Sequence, residues 1–386
     1  MKSNKIRLGE QCVVTSSKRF HLSERITQGV PFYCSKEIIK KFNGEDVTEC
    51  DYISEDLYKK VSNEFGVPKE NDLLITTRGT IGIPYLYKRT DRFYFADGNL
   101  TWIKDFDSNL YSKFLYYWFQ SYEGRKKFEA LAKGTAQKAV PISGIKTLEI
   151  ELPSLKSQKR IADILSAYDD LIENNQKQIK LLEEAAQRLY KEWFVDLRFP
   201  GHENTEIVDG VPEGWIKEEI GKIIKKVHRT KQIVASEYKD EGSIPIVDQS
   251  RAFVAGYTND LEARVDFGIP IIVFGDHTRI VKLIQFPFAK GADGTQLIIS
   301  DCLEMPQRLL YCSIMNVDLS NYHYARHFKY LKEEKIMIPT VKVAIEFENN
   351  VTGIFSKIQN CRDEIIRCQK TRDLLLPKLM SGEVEV

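Results

Sequence analysis

Residues 161–193 read IADILSAYDDLIENNQKQIKLLEEAAQRLYKEW, and their apolar positions decide the fold. The positions Ile161, Leu165, Tyr168, Ile172, Asn175, Ile179, Leu182, Ala186, Leu189 and Trp193 are spaced alternately by four and three residues, which is the seam of a heptad repeat. A shift of 186 residues finds the same stripe again as Phe347, Val351, Ile354, Ile358, Cys361, Ile365, Cys368, Arg372, Leu375 and Leu379. The same gapless shift lays Lys146, Ile150, Pro153 and Lys156 on Lys332, Ile336, Pro339 and Lys342, so the chain contains an internal repeat. A single stripe of this kind is most simply the buried face of a helix inside its own domain. Two in one frame, each following Leu152-Pro153-Ser154 or Ile338-Pro339-Thr340, predict a pair of long helices packed on each other. The pairing set is Ile161, Leu165, Tyr168, Ile172, Ile179, Leu182 and Leu189 with Val351, Ile354, Ile358, Ile365 and Leu375. Asn175 is expected opposite Cys361-type positions, where a polar seam residue penalises slipped registers. Gly353 and Arg372 are expected to fray the second helix.

Before each stripe lies a longer block of mixed character. Leu73-Leu74-Ile75-Thr76-Thr77, Phe93-Tyr94-Phe95, Ile271-Ile272-Val273-Phe274 and Gln296-Leu297-Ile298-Ile299 read as strands broken by Gly and Asp turns. Residues 111–132 and 306–315 read as helical. The predicted fold class is therefore α/β (α+β): two similar globular domains, residues 1–153 and 201–341, separated by long antiparallel coiled-coil helices, residues 154–200 with a linker and 342–386. Antiparallel pairing needs no long return segment, and it relates the domains by a pseudo-two-fold axis. A helix of about 40 residues is about 60 Å long. Two such heads on a stiff spacer suit a ligand with two separated, inverted half-sites, and duplex DNA, rising about 3.4 Å per base pair, is of that kind.

Composition limits the alternatives. The 386 residues carry 42% hydrophobic and 29% charged side chains with a net charge of +1, which excludes collagen-like, wholly disordered and histone-like chains. Residues 1–150 hold 24 Lys and Arg against 19 Asp and Glu, and residues 201–342 hold 18 against 20, ordinary values for a solvated surface. Met1-Lys2-Ser3-Asn4-Lys5 leads into no apolar run, and the greasiest stretch, Ile269 to Phe274, is far too short to span a bilayer. A cytoplasmic protein with no membrane partner is expected. Seven Cys without a Cys-x-x-Cys predict reduced, mostly buried thiols. His323 and His327 have helical spacing but lack the Glu of a zincin helix, so no metal is expected. No Walker A, Asn-Pro-Pro-Tyr, Asp-Pro-Pro-Tyr, Gly-x-Ser-x-Gly or Gly-x-Gly-x-x-Gly sequence occurs, and no catalytic residue is assigned. Asp276-His277 reads as an acid/base pair, as an Asp-capped turn or, with the turn Gly275 to Arg279, as a loop facing DNA.

Several motifs together resemble the specificity (S) subunits of type I restriction-modification enzymes, over essentially the whole chain. They are Leu152-Pro153-Ser154-Leu155 with Gln158, Ile161-Ala162 and Ile164-Leu165; Phe194-Val195-Asp196-Leu197-Arg198-Phe199-Pro200-Gly201; Val211-Pro212-Glu213-Gly214-Trp215; Phe274-Gly275-Asp276-His277-Thr278-Arg279; and Leu376-Pro377-Lys378-Leu379-Met380-Ser381-Gly382. The first domain opens Lys5-Ile6-Arg7-Leu8-Gly9 without a counterpart of Trp215. The resemblance implies two target recognition domains, each reading half of an asymmetric bipartite site on double-stranded DNA. It also implies helices that dock two methyltransferase (M) subunits, restriction/translocase (R) subunits in the full complex, and no catalysis by this chain. S-adenosylmethionine, ATP and Mg²⁺ belong to the partner subunits, with no cofactor here. Apolar residues off the seam, Ile164, Leu171, Leu181, Tyr190, Phe194, Phe355, Ile366 and Leu374, are the expected docking rows.

Base and phosphate chemistry then selects candidate DNA contacts, since Arg and Lys suit phosphates and guanine edges, Gln and Asn adenine, and hydroxyls either. In the first domain these are Arg78 and Thr80, with Gly79 allowing close approach, and Lys133, Thr135, Gln137 and Lys138. In the second they are Arg229, Lys231, Gln249, Arg251, His277, Thr278, Arg279, Tyr322, Tyr324, Arg326 and His327. Two other classes fit part of the sequence: a stand-alone DNA methyltransferase or nuclease, and a coiled-coil scaffold without DNA affinity.

Overall fold

The structure, a computed structural model, describes residues 4–134, 138–227, 230–322 and 326–386. The chain divides into two compact units, Met1–Gln176 with Asp363–Val386, and Lys177–Arg362. Each of the long helices, Leu155–Tyr190 and Val341–Ser381, contributes residues to both units. A short π-helical segment, Lys191–Val195, continues the first of them.

In the first unit the run Leu73–Thr76 is buried at every position. A strand covered on both faces needs such a continuous apolar run. It is flanked by Leu100–Lys104 and Pro84–Leu86, both antiparallel, and Val13–Thr15 adds a fourth strand. A second sheet pairs Val30–Tyr33 with Asp51–Ile53 antiparallel and with Tyr94–Phe95 parallel. The second unit repeats this plan. Ile271–Gly275, also buried throughout, lies between Val281–Ile284 and Thr295–Ile298. Ile244–Val247 pairs antiparallel with Gly256–Thr258 and parallel with Phe288–Gly291.

The repeat is clearest where each globular block closes. Asn4–Arg7 pairs antiparallel with Glu149–Leu152, and Ile216–Glu219 pairs with Lys335–Ile338 in the same register. Just beyond, Leu8 N donates to Leu148 O and Ile220 N donates to Glu334 O, each at 2.9 Å. The glycines that follow, Gly9 and Gly221, press on the backbone of Lys146 and Lys332. A Cβ on either would lie 3.0 Å from the lysine carbonyl oxygen, tighter than most such contacts, so a larger residue at either place would push the lysine segment aside by a few tenths of an ångström.

Within each unit the long helices pair antiparallel, as chain order leads one to expect. In the first unit Ile161 and Leu165 share a core with Leu375 and Leu379, together with Phe114, Leu115 and Trp118 of the helix Ser112–Gln120. In the second unit Ile179, Leu182, Ala186 and Leu189 pack with Phe347, Val351, Ile354 and Ile358. Tyr168, Ile172 and Ile365 are buried or half-buried, and no seam position is exposed. Asn175 is buried, and its Nδ2 donates to Leu171 O at 3.0 Å and to Glu364 Oε2 at 3.1 Å. Its side-chain partner is thus an acidic residue of the second long helix.

Arg372 does not fray the second helix, because its Nη1 donates to Asp169 Oδ1 at 2.7 Å while Tyr117 OH donates to the other oxygen at 2.5 Å. Gly353 is likewise passed without a break. Among the expected docking rows, Tyr190, Phe194 and Phe355 are buried in the second unit's own core, whereas Leu171, Leu181, Ile366 and Leu374 are exposed. The first group lies where aromatic rings stack inside the block, so an off-seam position alone does not signal a free surface. Among the described residues no helix is long and apolar enough to cross a membrane. All seven cysteines are free thiols.

Candidate nucleic-acid interface

The central strand of each unit runs into a turn carrying candidate residues, Thr77-Arg78-Gly79-Thr80 after Thr76 and Asp276-His277-Thr278-Arg279 after Gly275. The same pair of backbone hydrogen bonds fixes both turns. Thr77 N donates to Asn99 O at 2.8 Å and Thr77 O accepts from Val140 N at 2.9 Å. Asp276 N donates to Gly294 O at 2.7 Å and Asp276 O accepts from His327 N at 2.9 Å. Thr77 and Asp276 therefore hold equivalent places in the two units, and Val140 and His327 supply the corresponding amide.

A further segment enters from the parallel strand of each second sheet. In the first unit Ser35 Oγ lies 3.2 Å from Asn99 O and 3.4 Å from Arg78 O, a single hydroxyl donor shared between two carbonyls. In the second unit Gln249 is the hub. Its Nε2 donates to Asp293 O at 2.8 Å, its Oε1 accepts from His277 N at 3.1 Å, and its carbonyl accepts from Thr278 Oγ1 at 2.7 Å. Such bonds fix a loop's shape without closing its outer side chains to a ligand.

In the first unit this frame gathers most of the candidates. Arg78 and Lys133 both bridge to Ala139, which brings the 76–80 turn beside the 133–140 loop. Arg78, Thr80, Lys133 and Lys138 are exposed. Thr135 and Gln137 lie outside the described residues. Gly79 has a φ of +75° and open space around its Cβ position, so the tip of the turn faces solvent.

In the second unit Gln249, His277, Thr278, Arg279, Tyr322 and His327 come together. Arg279, at φ +60°, donates from Nε to His327 Nε2 and from Nη2 to Tyr322 O, both at 3.2 Å. The Tyr322 ring stacks on Tyr330 at 4.1 Å. Arg251 is exposed on the same loop as Gln249, and Arg326 is exposed directly before His327. Lys231 is held elsewhere, by Asp260 at 2.7 Å and Glu262 at 3.0 Å. Arg229 and Tyr324, like His323, lie outside the described residues.

Asp276 is 3% exposed, and its Oδ1 accepts from Phe328 N at 2.8 Å, capping the helix His327–Glu333. Asp276 is thus the cap of the turn, while His277, Thr278 and Arg279 are exposed on it. His327 is 5% exposed, and burial, reinforced by the Arg279 charge, pushes its pKa below the ordinary histidine value. It supports Arg279 from beneath rather than facing solvent. Among the described residues no group of three or more His, Cys, Asp or Glu is placed to hold a metal ion.

Sequence reasoning missed Ser35, Asn99, Asp293 and Lys282. Lys282 is buried, and its Nζ donates to Asp248 O at 2.8 Å and to Ala252 O at 2.5 Å, clasping the loop that carries Gln249 and Arg251. Burial pulls its pKa down to about 8. A lone lysine among the apolar residues of Val281-Lys282-Leu283-Ile284 was the available signal. The other three act through long-range hydrogen bonds and leave none.

Comparison with known proteins bears on what this pair of frames does. The family model for the type I restriction modification DNA specificity domain matches residues 3–184. The type I restriction enzyme MjaIX specificity subunit of Methanocaldococcus jannaschii is 30% identical over 303 residues, covering 71% of this chain and 69% of that protein. A putative type I restriction enzyme specificity subunit of Haemophilus influenzae, S.HindORF215P, is 28% identical over 187 residues, 48% of this chain and 45% of its own length. The chain thus spans less than half of this second relative. Among solved structures, the type I restriction-modification S subunit from M. genitalium superposes with a TM-score of 0.60 at 18% identity, covering 98% of this chain and 96% of that one, which is a likeness of fold. Identity at this level across more than two thirds of a named specificity subunit places this chain in the family of type I restriction enzyme specificity subunits.

Proposed function

We propose that each unit reads one half of an asymmetric, bipartite site on double-stranded DNA, and that the chain works as the DNA-specificity subunit of a type I restriction-modification complex. The observation that carries this reading is the duplicated frame: two turns of different sequence, Arg78-Gly79-Thr80 and His277-Thr278-Arg279, held by the same hydrogen bonds at the end of the same central strand. A constant scaffold with variable exposed side chains is what two half-sites of unrelated sequence require. The other DNA candidates named above line or border these two frames, apart from Lys231 and the residues outside the described set.

On this reading the chain performs no chemistry. S-adenosylmethionine, ATP and Mg²⁺ act on partner subunits, two methyltransferase subunits and, in the full complex, restriction/translocase subunits. The exposed Leu171, Leu181, Ile366 and Leu374 of the long helices support docking of those partners. Mapping methylated sites made by the complex reconstituted with its methyltransferase subunit tests the proposal. Two short specific blocks separated by a fixed unspecific gap are expected. One continuous site, or methyl transfer or cleavage by the isolated chain, overturns it.

A further inference from the structure

We infer that His327 is a positioning residue that makes reading by the second unit, and not by the first, depend on pH through its hydrogen bond to Arg279. This deepens the proposed function and rests on it. Arg279 sits in the left-handed region at φ +60°, uncommon for a residue with a side chain. Two contacts fix it: Nε donates to His327 Nε2 at 3.2 Å, and Nη2 donates to Tyr322 O at 3.2 Å. An arginine Nε–H can donate only to an unprotonated ring nitrogen, so the contact demands a neutral imidazole with its proton on Nδ1. When the ring takes a second proton, Nε2 becomes a donor facing a donor, and two cations stand 3.2 Å apart. The Nε bond is lost and Arg279 keeps only the Tyr322 carbonyl.

The groups facing the ring set the direction of this switch. From the turn come Arg279, Asp276 and His277; Asp318 and the Tyr322 segment face Arg279 from the other side. Asp276 favours the protonated ring, but burial first and then the Arg279 charge oppose it and outweigh it, holding the His327 pKa below the ordinary histidine value. Protonation therefore needs more acid than an ordinary histidine does. The first unit supplies an internal control, because Val140 gives the corresponding amide there and Pro141 falls on His327 in the 186-residue shift, and neither can titrate.

The experiment is competition binding by the complex of this chain with its methyltransferase subunit. Cognate duplex competes against duplexes changed at one base pair in either half-site, from pH 8 to pH 5.5. Substitution of Arg279→Ala identifies the half-site read by the second unit. The expected result is that discrimination in that half-site falls about ten-fold toward pH 5.5, while discrimination in the other half-site stays level. His327→Gln, whose amide oxygen accepts from Arg279 at every pH, gives a second-half ratio that no longer changes with pH. A level ratio in the unsubstituted complex, an equal fall in both halves, or a pH dependence that survives in His327→Gln overturns the inference and leaves bipartite reading intact. Absence of discrimination in both halves at pH 8 overturns the proposed function itself. The unsubstituted titration needs no variant, so a folding defect in His327→Gln does not remove the test.

Discussion

Arg78 and Arg279 stand on equivalent turns but are held differently, the first at an open glycine tip and the second pinned by His327 and Tyr322. Independent reading requires that Arg78→Ala weaken recognition of one half-site and Arg279→Ala the other, each by about 1–3 kcal/mol. Competition binding against duplexes permuted one position at a time measures both, and a single substitution that blunts both halves contradicts it. Lys282 offers a test on stability. Its folded pKa is near 8 and its ordinary value is 10.5, so between these the unfolded chain holds more protons and stability rises with pH. Relative to Lys282→Met, the unsubstituted protein gains up to about 3 kcal/mol from pH 8 to 10.5, read by urea unfolding. Residue types at the two turns were legible in the sequence. Their pinning was not, because Arg279 and His327 are 48 residues apart and nothing local announces that their side chains meet.

At the scale of elements, the heptad stripes were readable because a buried helix face imposes a period on its own sequence. The polar members of the seam were harder to place. Arg372 looks like a defect until Asp169 and Tyr117 are seen around it, and Asn175 finds Glu364 through a contact that spacing does not encode. Arg372→Ala leaves Asp169 short of its cationic partner and destabilises the first unit by about 1.5–3 kcal/mol. A double-mutant cycle with Asp169→Ala, followed by thermal unfolding, recovers much of that loss as coupling; additive effects contradict the pairing. The equivalence of Thr77 with Asp276 was also hidden. The gapless shift of 186 residues holds around Lys146 and Lys332 but not here, since the segments that follow the central strands differ in length.

At the scale of the molecule, each unit draws on both long helices, and the first unit is discontinuous in sequence, Met1–Gln176 with Asp363–Val386. Deleting Asp363–Val386 removes the buried Leu379, worth about 2–5 kcal/mol, and the half-buried Leu375 from the core around Ile161, Leu165 and Phe114. Hydrogen exchange is expected to accelerate through the first unit and to stay unchanged in Lys177–Arg362; equal acceleration in both contradicts the division. The same feature reverses the usual order of biosynthesis. At about 5–20 residues per second, roughly 10–40 s separate the emergence of Gln176 from that of Asp363. Throughout that interval the part translated earliest waits without Leu375 and Leu379 over Ile161 and Leu165, and when Asp363 emerges it is the successor whose residues are complete. The half that leaves the ribosome first is the last to mature, and it is the one that nascent-chain chaperones have time to find.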